Sequence, residues 1–212
     1  MTPLALYGAA LRRAVHRDAV PLHLLGPDGV VRRVDAAWYG TPRPGDAGLV
    51  ARCTGPTIDI GCGPGRLTAA LTATGYPALG VDISAEAVRQ ARRAGAAALH
   101  RCVFGRLPGE GRWRYALLAD GNIGIGGDPD RLLRRCRDLV DPAGAVLVEV
   151  DPPGTPTWSG EVVLTDATGV SSPFRWAFVA ADALWRLAGD AGLRVADSWT
   201  EADRWFANLA RA

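Results

Sequence analysis

Asp59-Ile60-Gly61-Cys62-Gly63-Pro64-Gly65-Arg66 is the stretch from which the fold of this chain can be read. A short β-branched run, residues 57–60, leads into it, and Leu67, Ala70, Leu71 and Thr74 follow at helical spacing before Gly75 ends the pattern. The spacing predicts a strand, a glycine turn and a helix. Glycines at three alternate positions allow the positive φ angles of a tight turn and remove the Cβ atoms that would hold a ligand away from the backbone. The N–H groups that open the helix have no partner within it, so they point at whatever occupies the turn.

About twenty residues on, Gly80-Val81-Asp82-Ile83-Ser84 ends a second strand with an acid. From that place a carboxylate can bind ribose hydroxyls at the crevice of a doubly wound sheet. A nicotinamide dinucleotide is the obvious competitor. Its fingerprint wants glycine or alanine at the sixth position for close helix packing, and Arg66 stands there. Asp59 would also sit awkwardly beside a pyrophosphate, whereas it suits a ligand that carries a cationic amino group.

These two segments resemble the cofactor signature of class I S-adenosylmethionine-dependent methyltransferases, and the resemblance runs over residues 57–150 and more loosely to the C-terminal part. It implies a Rossmann-like α/β fold: a seven-stranded, mostly parallel sheet with helices on both faces and the last strand antiparallel. It implies S-adenosylmethionine as donor, S-adenosylhomocysteine as product, and no metal. Gly61, Cys62, Gly63 and Gly65 would bring backbone to the donor, Asp59 would face its amino-acid end, and Asp82 would accept from its ribose hydroxyls with Ile83 alongside. The family often sets an acid or amide after the third strand against the adenine amino group. Phe104-Gly105-Arg106-Leu107-Pro108 has none, which leaves backbone groups and apolar contact, with Phe104 either a stacking ring or a core residue.

At 212 residues the chain can bury a sizeable core, and 48% apolar residues place it outside the disordered class. The net charge is only +2, and all 24 basic residues are arginine. So even a balance does not mark a polyanion-binding surface. Cys53, Cys62, Cys102 and Cys136 have no zinc-type spacing and read as free thiols. No run approaches membrane-spanning length and the first residues lack a basic leader, so the expected compartment is the cytoplasm.

Two regions are expected: an N-terminal helical and loop extension over residues 1–55, covering the substrate side, and a core over residues 56–212 with a hairpin inserted at about 159–180. In the extension, Leu4, Tyr7, Ala10, Leu11 and Val15 form a helical stripe, and residues 21–25 and 30–34 flank a Gly26-Pro27-Asp28-Gly29 turn. Trp38 and Tyr39 would be either an aromatic wall over the methyl group or packing for the extension. In the core, strands are expected at 57–60, 78–81, 97–102, 115–119, 145–150, 193–199 and 205–209. Helices are expected between them, one capped by Ser84 and one opened by Asp128-Pro129-Asp130. Arg131, Arg134, Arg135 and Arg137 read as a solvated face of that second helix.

Asp120-Gly121-Asn122-Ile123-Gly124-Ile125-Gly126-Gly127 follows the fourth core strand, and its four glycines suggest backbone left exposed beside the donor crevice. Asp120 is the candidate catalytic base and a cofactor contact, with Glu149, Asp151 and His23 behind it, and Asn122 is a candidate substrate contact. Asp151-Pro152-Pro153 resembles the motif of amino-group methyltransferases, but there it follows the fourth strand and here the fifth. Methyl transfer to a small molecule, through an O, N or C nucleophile, is the leading reading. The competitors are a nucleic-acid methyltransferase and a methyltransferase-like binding or scaffold protein without turnover. Oligomeric state is left open.

Overall fold

A computed structural model of the chain describes residues 1–16, 21–26, 29, 31–34 and 40–212. The extension supplies α1 (Pro3–Val15), β1 (Leu22–Leu25), β2 (Val31–Val34) and α2 (Asp46–Ala51). The glycine turn is flanked as its sequence predicts, by β3 (Thr57–Ile60) and α3 (Arg66–Ala73), and β4 (Ala78–Asp82), α4 (Ala85–Arg93) and β5 (Ala98–His100) follow. Then come β6 (Trp113–Leu118), a 3-10 segment Asn122–Gly127, α5 (Pro129–Leu139) and β7 (Val140–Val150). The inserted strands β8 (Trp158–Asp166), β9 (Gly169–Val170) and β10 (Phe174–Phe178) precede α6 (Leu184–Asp190), β11 (Leu193–Glu201) and β12 (Arg204–Arg211).

Seven strands form the main sheet in the order β11-β12-β7-β6-β3-β4-β5. The last strand, β12, lies between β7 and β11 and runs antiparallel to both, while β3 to β7 are parallel to one another. Every residue of β3 is buried, as a central parallel strand covered on both faces requires. One face packs Ile58, Ile60 and Leu118 against Leu132, Cys136 and Leu187 of α5 and α6. The other packs Leu117, Leu147 and Phe206 against Leu49, Leu67 and Leu71 of α2 and α3. Caps fall where the sequence sets them: Ser84 Oγ accepts from the Ala87 N–H at 3.3 Å, and Asp128 Oδ1 from the Arg131 N–H at 2.9 Å.

In the extension β1 and β2 pair as an antiparallel hairpin, and it does not stand alone. β1 also pairs with β8, so that extension and insertion build one small sheet in the order β10-β8-β1-β2, with β9 on β8. Its apolar face, which includes Leu22, Leu24, Val162 and Leu164, closes on Leu6, Ala10 and Leu11 of α1 and on Ala87 of α4.

Three expectations are corrected here. The buried stripe of α1 is carried by Leu6, Ala10 and Leu11, while Leu4 and Val15 are exposed, because the helix is turned toward α4 and β8. The arginines of α5 do more than face water: Arg135 donates to Val103 O (2.8 Å) and Gly105 O (2.6 Å), and Arg137 to Ala191 O (2.8 Å). They satisfy carbonyls of neighbouring loops. β7 begins earlier than residue 145, but its ladder to β6 jumps from Val140 to Ala145, and the skipped residues keep the predicted turn, with Asp141 Oδ1 accepting from the Ala143 N–H at 2.7 Å.

Candidate active site

After β3 the chain winds outward through β4 and β5, then returns to lay β6 and β7 on the other side. The carboxyl ends of β3 and β6 therefore flank the switch point, where open α/β sheets bind ligands. β3 ends in the glycine turn. Gly61, Gly63 and Gly65 have φ of +72°, +54° and +87°, a region that side chains other than glycine's rarely enter. A Cβ on Gly61 would lie 2.7 Å from Asn122 Nδ2, and one on Gly65 would lie 2.7 Å from the Ala91 Cβ, forcing α3 away from α4.

The two polar residues flanking the turn brace it. Asn122 Nδ2 donates to Ile60 O and Gly61 O, both at 2.9 Å, from across the switch point. Asp82 accepts from the Gly63 N–H at 2.9 Å and the Ser84 N–H at 2.7 Å, one bond to each carboxylate oxygen. Each oxygen keeps further acceptor capacity. Burial pushes the Asp82 carboxyl above its ordinary value, opposed by those two N–H groups. Beside it, Ile83 leaves 49% of its surface exposed, a sizeable apolar patch next to an acid.

Between the ends of β3 and β6 lies a cavity of about 10 Å³, lined by Asp59, Gly61, Cys62, Arg66, Leu67, Ala119, Asp120 and Asn122. That is room for one water-sized group. Asp59 is buried, accepts from Thr68 Oγ1 at 2.7 Å, and has its carboxyl pushed up to about 6, chiefly by burial. Unlike Asp120, Asp59 is paired with no arginine among the described residues, so it is the carboxylate of the lining that can answer a cationic guest.

Arg66, which counts against a dinucleotide in the sequence, has a second use. Its guanidinium pairs with both Asp46 and Asp120. Arg204, the first residue of β12, donates to Glu149 Oε1 (2.9 Å) and Oε2 (2.8 Å), to Asp46 Oδ1 (2.9 Å) and to Asp120 Oδ1 (3.4 Å). Arg43 adds a bond to Asp120 Oδ1 at 2.6 Å. Asp120 sits at φ +55°, a left-handed conformation that Asp tolerates better than most residues, and its backbone N–H donates to Glu149 Oε2 at 2.6 Å. Burial pushes its carboxyl up, and Arg66, Arg43 and Arg204 pull it back. Both of its oxygens are engaged by guanidinium groups, as are both oxygens of Glu149.

The glycine-rich loop after Asp120 is exposed only in part: Gly126 is open to solvent, as expected, but the expectation is corrected at two of its four glycines. Gly124 and Gly127 are buried, and a Cβ on Gly124 would run into Ala177 O and the Trp176 ring, while one on Gly127 would lie 2.9 Å from the Arg175 Cβ. The loop lacks side chains there so that β10 can lie directly on it. Phe104 packs on the main core with the Arg131 guanidinium over its ring at 4.2 Å. Asp151 pairs with Arg32 at 2.7 Å, and His23 lies on β1 opposite Thr165. Trp38 and Tyr39 lie outside the described residues.

Sequence reasoning missed the residues above the end of β7. Arg32 places its guanidinium 3.8 Å from the Phe178 ring centre, and Phe178 stacks with Trp158 at 5.9 Å. The alternation of Phe174, Trp176 and Phe178 along one strand could have marked an aromatic face, but the approach of Arg32 depends on the pairing of β1 with β8. Arg204 and Asp46 gave no signal either, since neither belongs to a spaced motif.

Comparison with known proteins agrees with this geometry. Residues 58–144 match a family model described as a methyltransferase domain. No curated protein sequence matches the chain. Among solved structures, a SAM-dependent methyltransferase from Bacteroides fragilis in complex with S-adenosyl-L-homocysteine superposes with a TM-score of 0.80 at 19% identity, over 97% of this chain and 94% of that one. Burkholderia thailandensis 1,6-didemethyltoxoflavin-N1-methyltransferase gives 0.56 at 22% identity (78% and 75% covered). A sugar N-methyltransferase from a Streptoalloteichus species gives 0.58 at 17% (77% and 82% covered).

Proposed function

We propose that this chain is a class I, S-adenosylmethionine-dependent methyltransferase and that its acceptor is a small molecule held between the carboxyl ends of β6 and β7 and the small sheet. The observation that carries the donor side is the turn of three positive-φ glycines running from buried Asp59 to the helix start, with Asp82 bonded into it. The residues fit the donor's parts. The water-sized cavity at Asp59 suits an ammonium group, Asp82 retains lone pairs for the ribose hydroxyls, and exposed Ile83 offers an apolar surface to adenine.

The donor supplies an electrophilic methyl group on a sulfonium, so an acceptor needs a lone pair aligned behind it. Alignment in a pocket closed to water is worth roughly 7 to 11 kcal/mol in the best cases. We assign Asp120 to positioning: its oxygens hold Arg43 and Arg66, and through them the approach to the cavity, leaving no oxygen free of a guanidinium for proton abstraction. Asn122 holds the glycine turn in register with β6.

A small acceptor is favoured over nucleic acid because the cations nearest the site are spent. Arg32, Arg66 and Arg204 are each paired with carboxylates, and Arg43 with Asp120, so these four guanidinium groups among the described residues are not a free row to follow a phosphate backbone. Incubation with methyl-labelled donor, a metabolite extract and RNA tests this. Label is expected in the small-molecule fraction, and label in RNA alone would overturn the choice.

A further inference from the structure

Of the three threonines in α3 and at its C-cap, one spends its hydroxyl differently. Thr72 Oγ1 donates to Thr68 O at 2.9 Å and Thr74 Oγ1 to Leu71 O at 2.6 Å, the bonds by which a helical hydroxyl returns to the preceding turn. Thr68 Oγ1 instead leaves its helix and donates to Asp59 Oδ2 on β3 at 2.7 Å, and both side chains are buried. β4 makes room for this crossing. Gly80 stands opposite Asp59 in the β3–β4 ladder, and a Cβ there would lie 2.8 Å from Thr68 Oγ1 and 2.6 Å from Cys62 Sγ. A strand, a helix and a missing side chain on a second strand thus agree on one contact.

The contact divides the two oxygens of Asp59. Oδ2 takes the hydroxyl proton, while Oδ1 accepts no hydrogen bond among the described residues, and Asp59 lines the water-sized cavity. Oδ1 is therefore the oxygen left to meet a guest. The hydroxyl also favours the carboxylate over the neutral acid: burial raises the Asp59 carboxyl, and the Thr68 bond is the largest effect opposing it. The other titratable and charged groups around Asp59 are Arg66 of α3, Asp120 beyond β6, Asp82 of β4, Cys62 of the glycine turn and Cys53 after α2. Arg66 is shared between Asp46 and Asp120, both acids oppose the charge of Asp59, and both thiols are raised by burial and stay uncharged. Thr68 is the one group that supports Asp59 by a direct hydrogen bond among the described residues.

We propose that Thr68 is the positioning residue of the donor's ammonium site, fixing the Asp59 carboxylate with Oδ2 on α3 and Oδ1 on the cavity. The proposal rests on the reading above in which Asp59 meets the ammonium group. Its consequence has a definite sign. Without the hydroxyl the Asp59 carboxyl rises further, so the carboxylate is lost at a higher pH and donor affinity falls sooner as the pH is lowered.

The test is calorimetry with S-adenosylhomocysteine, which carries the same amino-acid end, at pH 5.5 and pH 8. Thr68→Val keeps the branched shape and removes the hydroxyl, and it should move the midpoint of affinity loss upward by about one pH unit. Relative to the unmodified chain, that is a loss of about eightfold at pH 5.5 and of less than about twofold at pH 8. Thr68→Ser keeps the hydroxyl and should follow the unmodified chain at both. Thr68→Val added to Asp59→Asn should change nothing at either pH, because a residue that acts through Asp59 then has no charge to support. Thr68→Ala makes the same removal if Thr68→Val does not fold. Equal losses at the two pH values, no loss at pH 5.5, a loss in Thr68→Ser, or an undiminished effect on the Asp59→Asn background would overturn the proposal. A fall in affinity at pH 5.5 that survives in Asp59→Asn, or no binding by the unmodified chain, would instead overturn the donor reading on which it rests.

Discussion

At the scale of single residues, Asp59 couples the site to pH. Its carboxyl is raised to about 6 by burial, so it is a carboxylate above pH 7, ready to pair with an ammonium group, and becomes neutral as the pH falls through that value. Donor affinity is therefore expected to be level above pH 7 and to fall below pH 6, approaching tenfold for each further unit. Asp59→Asn should bind more weakly and lose that slope. Calorimetric titrations of both proteins between pH 5 and 8 check this, and an equal slope in the variant would remove Asp59 from the ammonium site. The sequence named Asp59, Asp82 and the three glycines because their roles follow from spacing along one strand and one turn. It could not show that Asp120 is held by three arginines. Arg204 arrives from the start of β12, 84 residues away, and no local pattern records that approach.

At the scale of elements, the glycine loop and β10 form one unit. Gly124 is small because β10 backbone occupies the place of its side chain, so Gly124→Ala should cost about 1 to 3 kcal/mol through overpacking. It should also open the loop and inserted strands to proteolysis before the rest of the chain. Gly189, in α6, meets nothing within 4 Å, and Gly189→Ala should instead stabilise by roughly 0.5 to 1 kcal/mol. Urea unfolding of the two variants, with timed proteolysis, compares them directly. The core strands, both caps and the inserted β8–β10 pairing could be read from periodicity and turn residues. The union of β1 with β8 could not, since a hairpin edge carries no mark of its partner more than 130 residues later. The glycines of residues 121–127 read as exposed for a related reason: absent side chains look alike whether solvent or another strand fills the space.

At the scale of the whole molecule, one buried ion cluster ties the extension to the core. Asp46 comes from α2, Arg66 from α3, Asp120 and Glu149 from the ends of β6 and β7, and Arg204 from the last hairpin. Arg204→Ala would leave Glu149 and Asp46 with unanswered charge in a largely buried place, and a loss of about 3 to 5 kcal/mol is expected by urea unfolding. A loss below 1 kcal/mol would mean that the cluster is solvated in solution. Arg66 and Asp120 of the same cluster also line the cavity proposed for the donor's amino group, so in this proposal stability and chemistry share residues. The central claim is that a methyl donor sits where β3 and β4 end, and calorimetry with S-adenosylmethionine at pH 7.5 tests it most directly. One-to-one binding is predicted for the unmodified chain, with affinity reduced at least tenfold in Asp82→Asn, whereas no binding to the folded chain, or equal affinity in the two proteins, would contradict it.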